Sequence, residues 1–143
     1  LAVSHLLMAF AGAAAILTAM GFAIGAGGVL STGNPEQFSW LFNSAVLKIP
    51  AAWVMAGIAA LMFGLVPRAM AGISYALFGV FLLLEFFWEQ QAVSDVVYKL
   101  SPFAHTYPAN KITVLTITGL TLVSAALAAL GLLAFRRRDI TSN

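Results

Sequence analysis

Four long apolar runs, Val3–Gly27, Ile49–Val66, Gly72–Trp88 and Ile112–Phe135, alternate with shorter polar stretches along this chain. The apolar positions follow one another continuously, without the strict alternation of a half-buried strand, so each run reads as a helix. A hydrocarbon core of roughly 30 Å needs about 20 helical residues, which the two outer runs exceed. Inside the four runs Glu85 is the single formally charged residue. Backbone groups in lipid must satisfy one another, which restricts the choice to helices or closed barrels. The pattern therefore predicts an all-α polytopic membrane bundle of four transmembrane helices. A short extracellular amphipathic or re-entrant helix is expected before the last span. Composition agrees: 62% of the residues are hydrophobic and 8% charged, against roughly 45–50% and 25% in a soluble domain.

Between the runs, two outer loops are expected at residues 30–48 and 89–111, and a tail at 136–143, within a single domain 1–143. Ser31, Thr32, Gly33, Asn34 and Pro35 form a turn cluster. Phe38, Trp40, Leu41, Phe42 and Val46 after it suit a short helix lying in the interface. Pro50 fits the first turn of the second run, where a missing N–H costs nothing, and Pro67 marks its exit. In the second loop Val93, Val96, Val97 and Leu100 recur at helical spacing, which predicts an amphipathic helix ended by Pro102. The alternative is a plain surface loop. Small residues at Gly21 and Gly25, Gly72 and Ala76, and Ser124 and Ala128 mark expected helix contacts. Thr113, Thr116, Thr118 and Thr121 give the last run a polar seam, either bonded back to its own helix or lining a path.

Charge fixes the expected orientation. Arg68 and the cluster Arg136, Arg137 and Arg138 fall on one side of a four-span chain, while Lys48, Lys99 and Lys111 fall on the other. The clustered arginines place both ends of the chain in the cytoplasm by the positive-inside rule. Trp40, Trp53, Trp88, Tyr98 and Tyr107 then lie towards the outer headgroups, although Trp53 would equally pack between helices. The excess of basic residues is a topology signal, so nucleic-acid binding is excluded.

Few residues offer chemistry. Glu85 is an intramembrane acid, a class that often marks proton or ion routes, yet it lies roughly 5 Å below Trp88 and so within reach of headgroup water. His5 and His105 fall on opposite faces and would not share a metal. The sequence contains no cysteine, no HExxH and no GxxxxGK[ST]. Any use of ATP requires another chain, and no cofactor or metal is expected.

KIPAAWVMAGIAALMFGLVPR (Lys48–Arg68), LSPFAHTYPA (Leu100–Ala109), LLAFRRRDI (Leu132–Ile140) and the opening SHLL (Ser4–Leu7) carry a resemblance. In this order and spacing they are similar to the C-terminal end of permeases from ABC exporters of polyketides and other antibiotics, the tetronasin-type family. The resemblance implies a fragment of a longer permease in a bacterial cytoplasmic membrane, a view that the opening Leu1 also suggests; a signal peptide is the rival reading of residues 1–27. It implies a separate ABC ATP-binding subunit, the remaining permease spans or a second half, and export of hydrophobic compounds by alternating access. No catalytic residue is expected. The candidates for the substrate path are Trp53, Phe78, Phe81, Glu85, Phe86 and Trp88, with Arg68 and Arg136–Arg138 as topology anchors. Two rival functions remain: a small proton-coupled multidrug exporter using Glu85, and a non-transporting membrane scaffold.

Overall fold

The computed structural model describes residues 2–106 and 111–140, with the side chains of 3–106 and 111–137. Tyr107, Pro108 and the side chain of Arg138 lie outside the described residues. The described chain is helical throughout: α1 (Ala2–Thr32), α2 (Glu36–Val46), α3 (Ile49–Leu65), α4 (Met70–Glu89), α5 (Asp95–Tyr98), a 3-10 turn (Pro102–Thr106) and α6 (Val114–Ile140). Four helical segments are long and apolar enough to cross a membrane: Val3–Thr32, Glu36–Leu65, Met70–Glu89 and Val114–Arg137.

The helix boundaries have local causes. Gly33 takes φ +70 and its N–H bonds Val29 O at 2.8 Å, a glycine stop for α1. Asn34 Oδ1 then accepts the Glu36 N–H at 3.0 Å and turns the chain into α2. Pro50 lacks an N–H for Val46 O and its ring crowds that carbonyl, so α2 ends at Val46. The helix resumes after the Leu47–Lys48 elbow, with Pro50 in the first turn of α3. Val66, at φ −138 and ψ 68, has left the helical region that a following proline disfavours, and α3 stops there. Thr113 caps α6 by accepting the Thr116 N–H at 3.2 Å.

The expected outer loop 30–48 is mostly helix. Its helix does not lie apart from α1 but runs back along it. The glycines of α1 explain the pairing: a Cβ on Gly21 would stand 2.9 Å from Ala45 Cβ, and one on Gly25 would stand 2.9 Å from the Phe38 ring. Gly28 faces Leu41 in the same way. The Gly21–Gly25 pair is thus a helix contact.

The tightest packing joins α3 to α6. The two run parallel, Gly57 matching Ser124 and Gly64 matching Gly131. A Cβ on Gly57 would stand 2.8 Å from Ser124 O; one on Gly64 would meet Gly131 O, and one on Gly131 would meet Ala60 O. Ser124 and Ala128 are buried in this seam, and Phe63 stacks on Phe135 at its end. Small residues let two backbones touch where lipid provides no hydrophobic drive. The third predicted pair behaves otherwise: a Cβ on Gly72 would meet nothing within 4 Å and Ala76 is exposed.

The contacts of α4 are looser, and none of its residues is buried. Its half-buried stripe is Ile73, Ser74, Leu77, Phe81, Leu84, Glu85 and Trp88, while Tyr75, Phe78, Val80, Leu82, Leu83, Phe86 and Phe87 are exposed. At its end Gln91 adopts φ 56, with Gln91 N–H to Trp88 O and Ala92 N–H to Phe87 O both at 2.9 Å. This is a Schellman stop in which glutamine takes the place usually held by glycine.

The second loop differs from the amphipathic helix expected over Val93–Leu100. The helix is four residues long, too few to sustain a 3.6-residue stripe over the whole stretch. Tyr98 is buried instead, stacked on Trp88 with ring centroids 4.4 Å apart. Pro102 opens the 3-10 turn, and Ser101 and Thr106 are buried beside it. Their hydroxyls serve the segment's own backbone, Ser101 Oγ accepting from Phe103 N and Thr106 Oγ1 donating to Phe103 O. The segment rests on α3, α4 and α6.

Two stability predictions follow from this geometry. Gly131→Val, pressed against the backbone of Ala60, is expected to cost about 3 kcal/mol or more, seen as a lowered unfolding midpoint in detergent. Gly72→Val at an open position serves as the control and should shift the midpoint far less. Gln91→Gly removes a left-handed side chain and is expected to stabilise the protein by about 1 kcal/mol, measured in the same assay.

Candidate functional site

Three features stand out in the bundle: an ion pair at the Lys48 end, an aromatic cap beside it, and an apolar groove at the Arg68 end. Each rests on the helix geometry above.

Lys48 sits at the elbow between α2 and α3, and its ammonium lies 3.1 Å from Glu85 Oε1 on α4. The lysine and glutamate side chains are 32% and 23% exposed, so the pair is neither dry nor fully hydrated. Glu85 therefore does not stand alone on an aromatic face. The partner arrives from a residue 37 positions earlier, and sequence spacing along α4 carries no signal of it.

Trp88, three residues on, belongs to the same half-buried stripe of α4. Its Nε1 donates to Asp95 Oδ1 at 2.7 Å, while its ring carries Tyr98. His105 Nε2 lies 3.1 Å from Lys99 O within the same cap.

Trp53 is placed between helices. Its Nε1 donates to Phe10 O at 3.0 Å, and its ring meets Phe10 edge-on with centroids 5.8 Å apart. It joins α1 to α3 and stands apart from the aromatic residues of α4. Of the six path candidates, the structure turns Phe81, Glu85 and Trp88 towards the bundle and leaves Phe78 and Phe86 exposed. They do not converge on one cavity.

A cavity lies elsewhere. An open groove of about 500 Å³ runs between α1, α3 and α6, closed at its end by Met70 of α4. Leu6, Ala9, Ala56, Ala59 and Phe63 form much of its wall, and His5 is the one lining residue with a titratable side chain. Its volume falls within the 300–1,000 Å³ typical of small-molecule pockets. None of the six path candidates lines it. The sequence clue was the alanine spacing of α1 and α3, which leaves room where larger side chains would fill it.

The threonine seam of α6 offers no open row of hydroxyls. Thr121 bonds back to Ile117 O at 2.8 Å, and Thr113 and Thr116 pair with each other at 3.0 Å. Arg68, Arg136 and Arg137 are exposed. Among the described residues no three His, Cys, Asp or Glu side chains gather into a group that could hold a metal ion.

Comparison with known proteins gives this geometry its context. Residues 1–136 match the family model described as "Multidrug efflux system permease Rv1217c, C-terminal domain". The chain is 29% identical over 140 residues to the multidrug efflux system permease protein Rv1217c of Mycobacterium tuberculosis (strain ATCC 25618 / H37Rv), covering 96% of this chain. It spans about a quarter (25%) of the length of that relative. No solved structure matches the chain. Its membrane-length helices and the match through residue 136 together make the chain a member of the multidrug efflux permease C-terminal domain family.

Proposed function

We propose that this chain is the C-terminal membrane part of an ATP-driven ABC exporter permease of the tetronasin-type group. It moves hydrophobic compounds, antibiotics among them, by alternating access. The family match over residues 1–136 is the observation that carries this reading. A separate ATP-binding subunit supplies the hydrolysis, and further permease spans or a second half complete the pathway. Both ends of the chain face the cytoplasm of a bacterial cell, with Arg68 and Arg136–Arg138 as anchors at that surface.

The groove at the Arg68 end supports the choice of cargo. Its walls are almost wholly aliphatic and aromatic, so it offers an uncharged hydrophobic molecule contact area without desolvating fixed charges. In the proposed orientation it opens towards the inner leaflet, where such compounds concentrate. Phe78 and Phe86, on the exposed face of α4, are available to a facing permease half, whereas Phe81, Glu85 and Trp88 are turned towards the bundle.

The Lys48–Glu85 pair weighs against proton coupling through Glu85. With an ammonium 3.1 Å from its carboxylate, Glu85 is not the lone acid on an aromatic face that such an exporter would use.

Three measurements test the reading. Inverted vesicles carrying the full-length permease and its ATP-binding subunit are expected to accumulate a hydrophobic fluorescent drug on addition of ATP. Accumulation driven by a proton gradient without nucleotide would overturn the proposal. Ala59→Trp, which fills the groove, is expected to cut drug accumulation by about ten-fold, equivalent to about 1.4 kcal/mol of binding, while ATP hydrolysis persists. A tag after Asn143 is expected to survive protease added to intact cells; its removal from outside would invert the orientation.

A further inference from the structure

Resting on the exporter reading above, we propose that Lys48 and Glu85 form a latch between two moving parts of the permease. The pair holds α4 against the α3–α6 unit in the nucleotide-free state and parts when ATP binds to the partner subunit.

The packing separates a rigid unit from a loose one. α3 and α6 touch backbone to backbone at Gly57, Gly64 and Gly131, a contact that cannot slide without collision. α4 makes no contact of that kind: none of its residues is fully buried, although the Ser74 hydroxyl is covered, and its glycines, Gly72 and Gly79, meet nothing within 4 Å. A displacement of α4 by a few ångströms therefore disrupts no interlocked surface. At the Lys48 end the ion pair is the polar hold across this soft boundary.

The exposure of the pair suits reversible use. A fully buried pair would strand an unpaired charge on opening, at a cost of several kcal/mol, and a fully exposed one would hold almost nothing. At 32% and 23% exposure the separated charges reach water while the closed pair still favours one arrangement. The two ends of the latch are also placed to transmit movement. Lys48 occupies the elbow that Pro50 creates between α2 and α3, so its release bears on the α1–α2 hairpin. Glu85 lies one turn from Trp88, whose contacts with Asp95 and Tyr98 tie α5 to α4.

A latch needs opposite charges and is indifferent to which helix bears which, whereas a proton carrier needs its carboxylate at position 85. The test uses the full-length permease with its ATP-binding subunit in inverted vesicles. K48E and E85K are each expected to reduce ATP-driven export about ten-fold, and K48E/E85K to recover most of it. A swapped double variant no better than either single reversal would overturn the latch. Because single reversals can fail to assemble, K48C/E85C provides an independent measurement in a segment devoid of native cysteine. A short bifunctional methanethiosulfonate, which spans the space left by the two long side chains, is expected to bridge the thiols readily without nucleotide, to bridge them several-fold less with a non-hydrolysable ATP analogue, and to stop export until reduced. Cross-linking indifferent to nucleotide, or export at the normal rate with the bridge closed, would overturn the latch while leaving the exporter reading intact. A wild-type protein without ATP-driven export would remove both.

Discussion

Direct backbone contact between α3 and α6 is the constraint on which the rest of this bundle depends. Two helices in lipid gain nothing from hiding apolar surface from water, so they must gain from dispersion and from weak polar contacts at short range. Gly57, Gly64 and Gly131 make that approach possible, and their registration fixes α6 parallel to α3. Once those two are locked, the connection between them has its course set. The chain must return through α4 and then fold the cap segment over the Lys48 end before α6 can start. The cap is short of helix and rich in local bonds, its buried hydroxyls and amides pairing within the segment.

The same reasoning explains where the polar residues went. Ser124, Thr121 and Thr106 donate to carbonyls three or four residues back; Trp53 finds the carbonyl of Phe10; Trp88 finds Asp95. Each donor is consumed close to home or across one helix contact. Residues that look like a hydrophilic path in sequence are therefore largely spoken for in the fold, and the accessible volume lies along alanine-rich walls.

Much of this was legible from residue order. Continuous apolar runs identified helices of membrane length. Pro50 and Pro67 marked real interruptions because proline acts through its own ring and missing N–H, which are local properties. Gly21–Gly25 and Ser124–Ala128 were correctly read as contacts, but Gly72–Ala76 shows the limit of the spacing rule: a small-residue pair permits close approach without supplying a partner. The cap was legible in outline, since a short helix does precede the last span, but its packing was not. Hydrophobic spacing at Val93–Leu100 suggested a stripe, whereas stacking of Tyr98 on Trp88 and two buried hydroxyls determined its packing. The Lys48 partner of Glu85 was not legible, and the alanines of α1 and α3 hinted at the groove without locating it, since both arise from elements far apart in sequence.

The two candidate functional features sit at opposite ends of the bundle, and this separation has a mechanical consequence. The groove lies at the Arg68 end, bounded by the rigid α3–α6 unit, by α1 and by the first residue of α4. The ion pair lies one turn from the other end of that same α4. A helix held by an ion pair near one end, and bordering a cavity at the other, couples the two by its stiffness alone: tilting it to open one end alters the opposite boundary. Such coupling requires no chain of specific side-chain contacts through the middle of the bundle. It requires a continuous helix with few interlocking neighbours; α4 runs unbroken from Met70 to Glu89, with open surroundings at Gly72 and Gly79 and no fully buried residue.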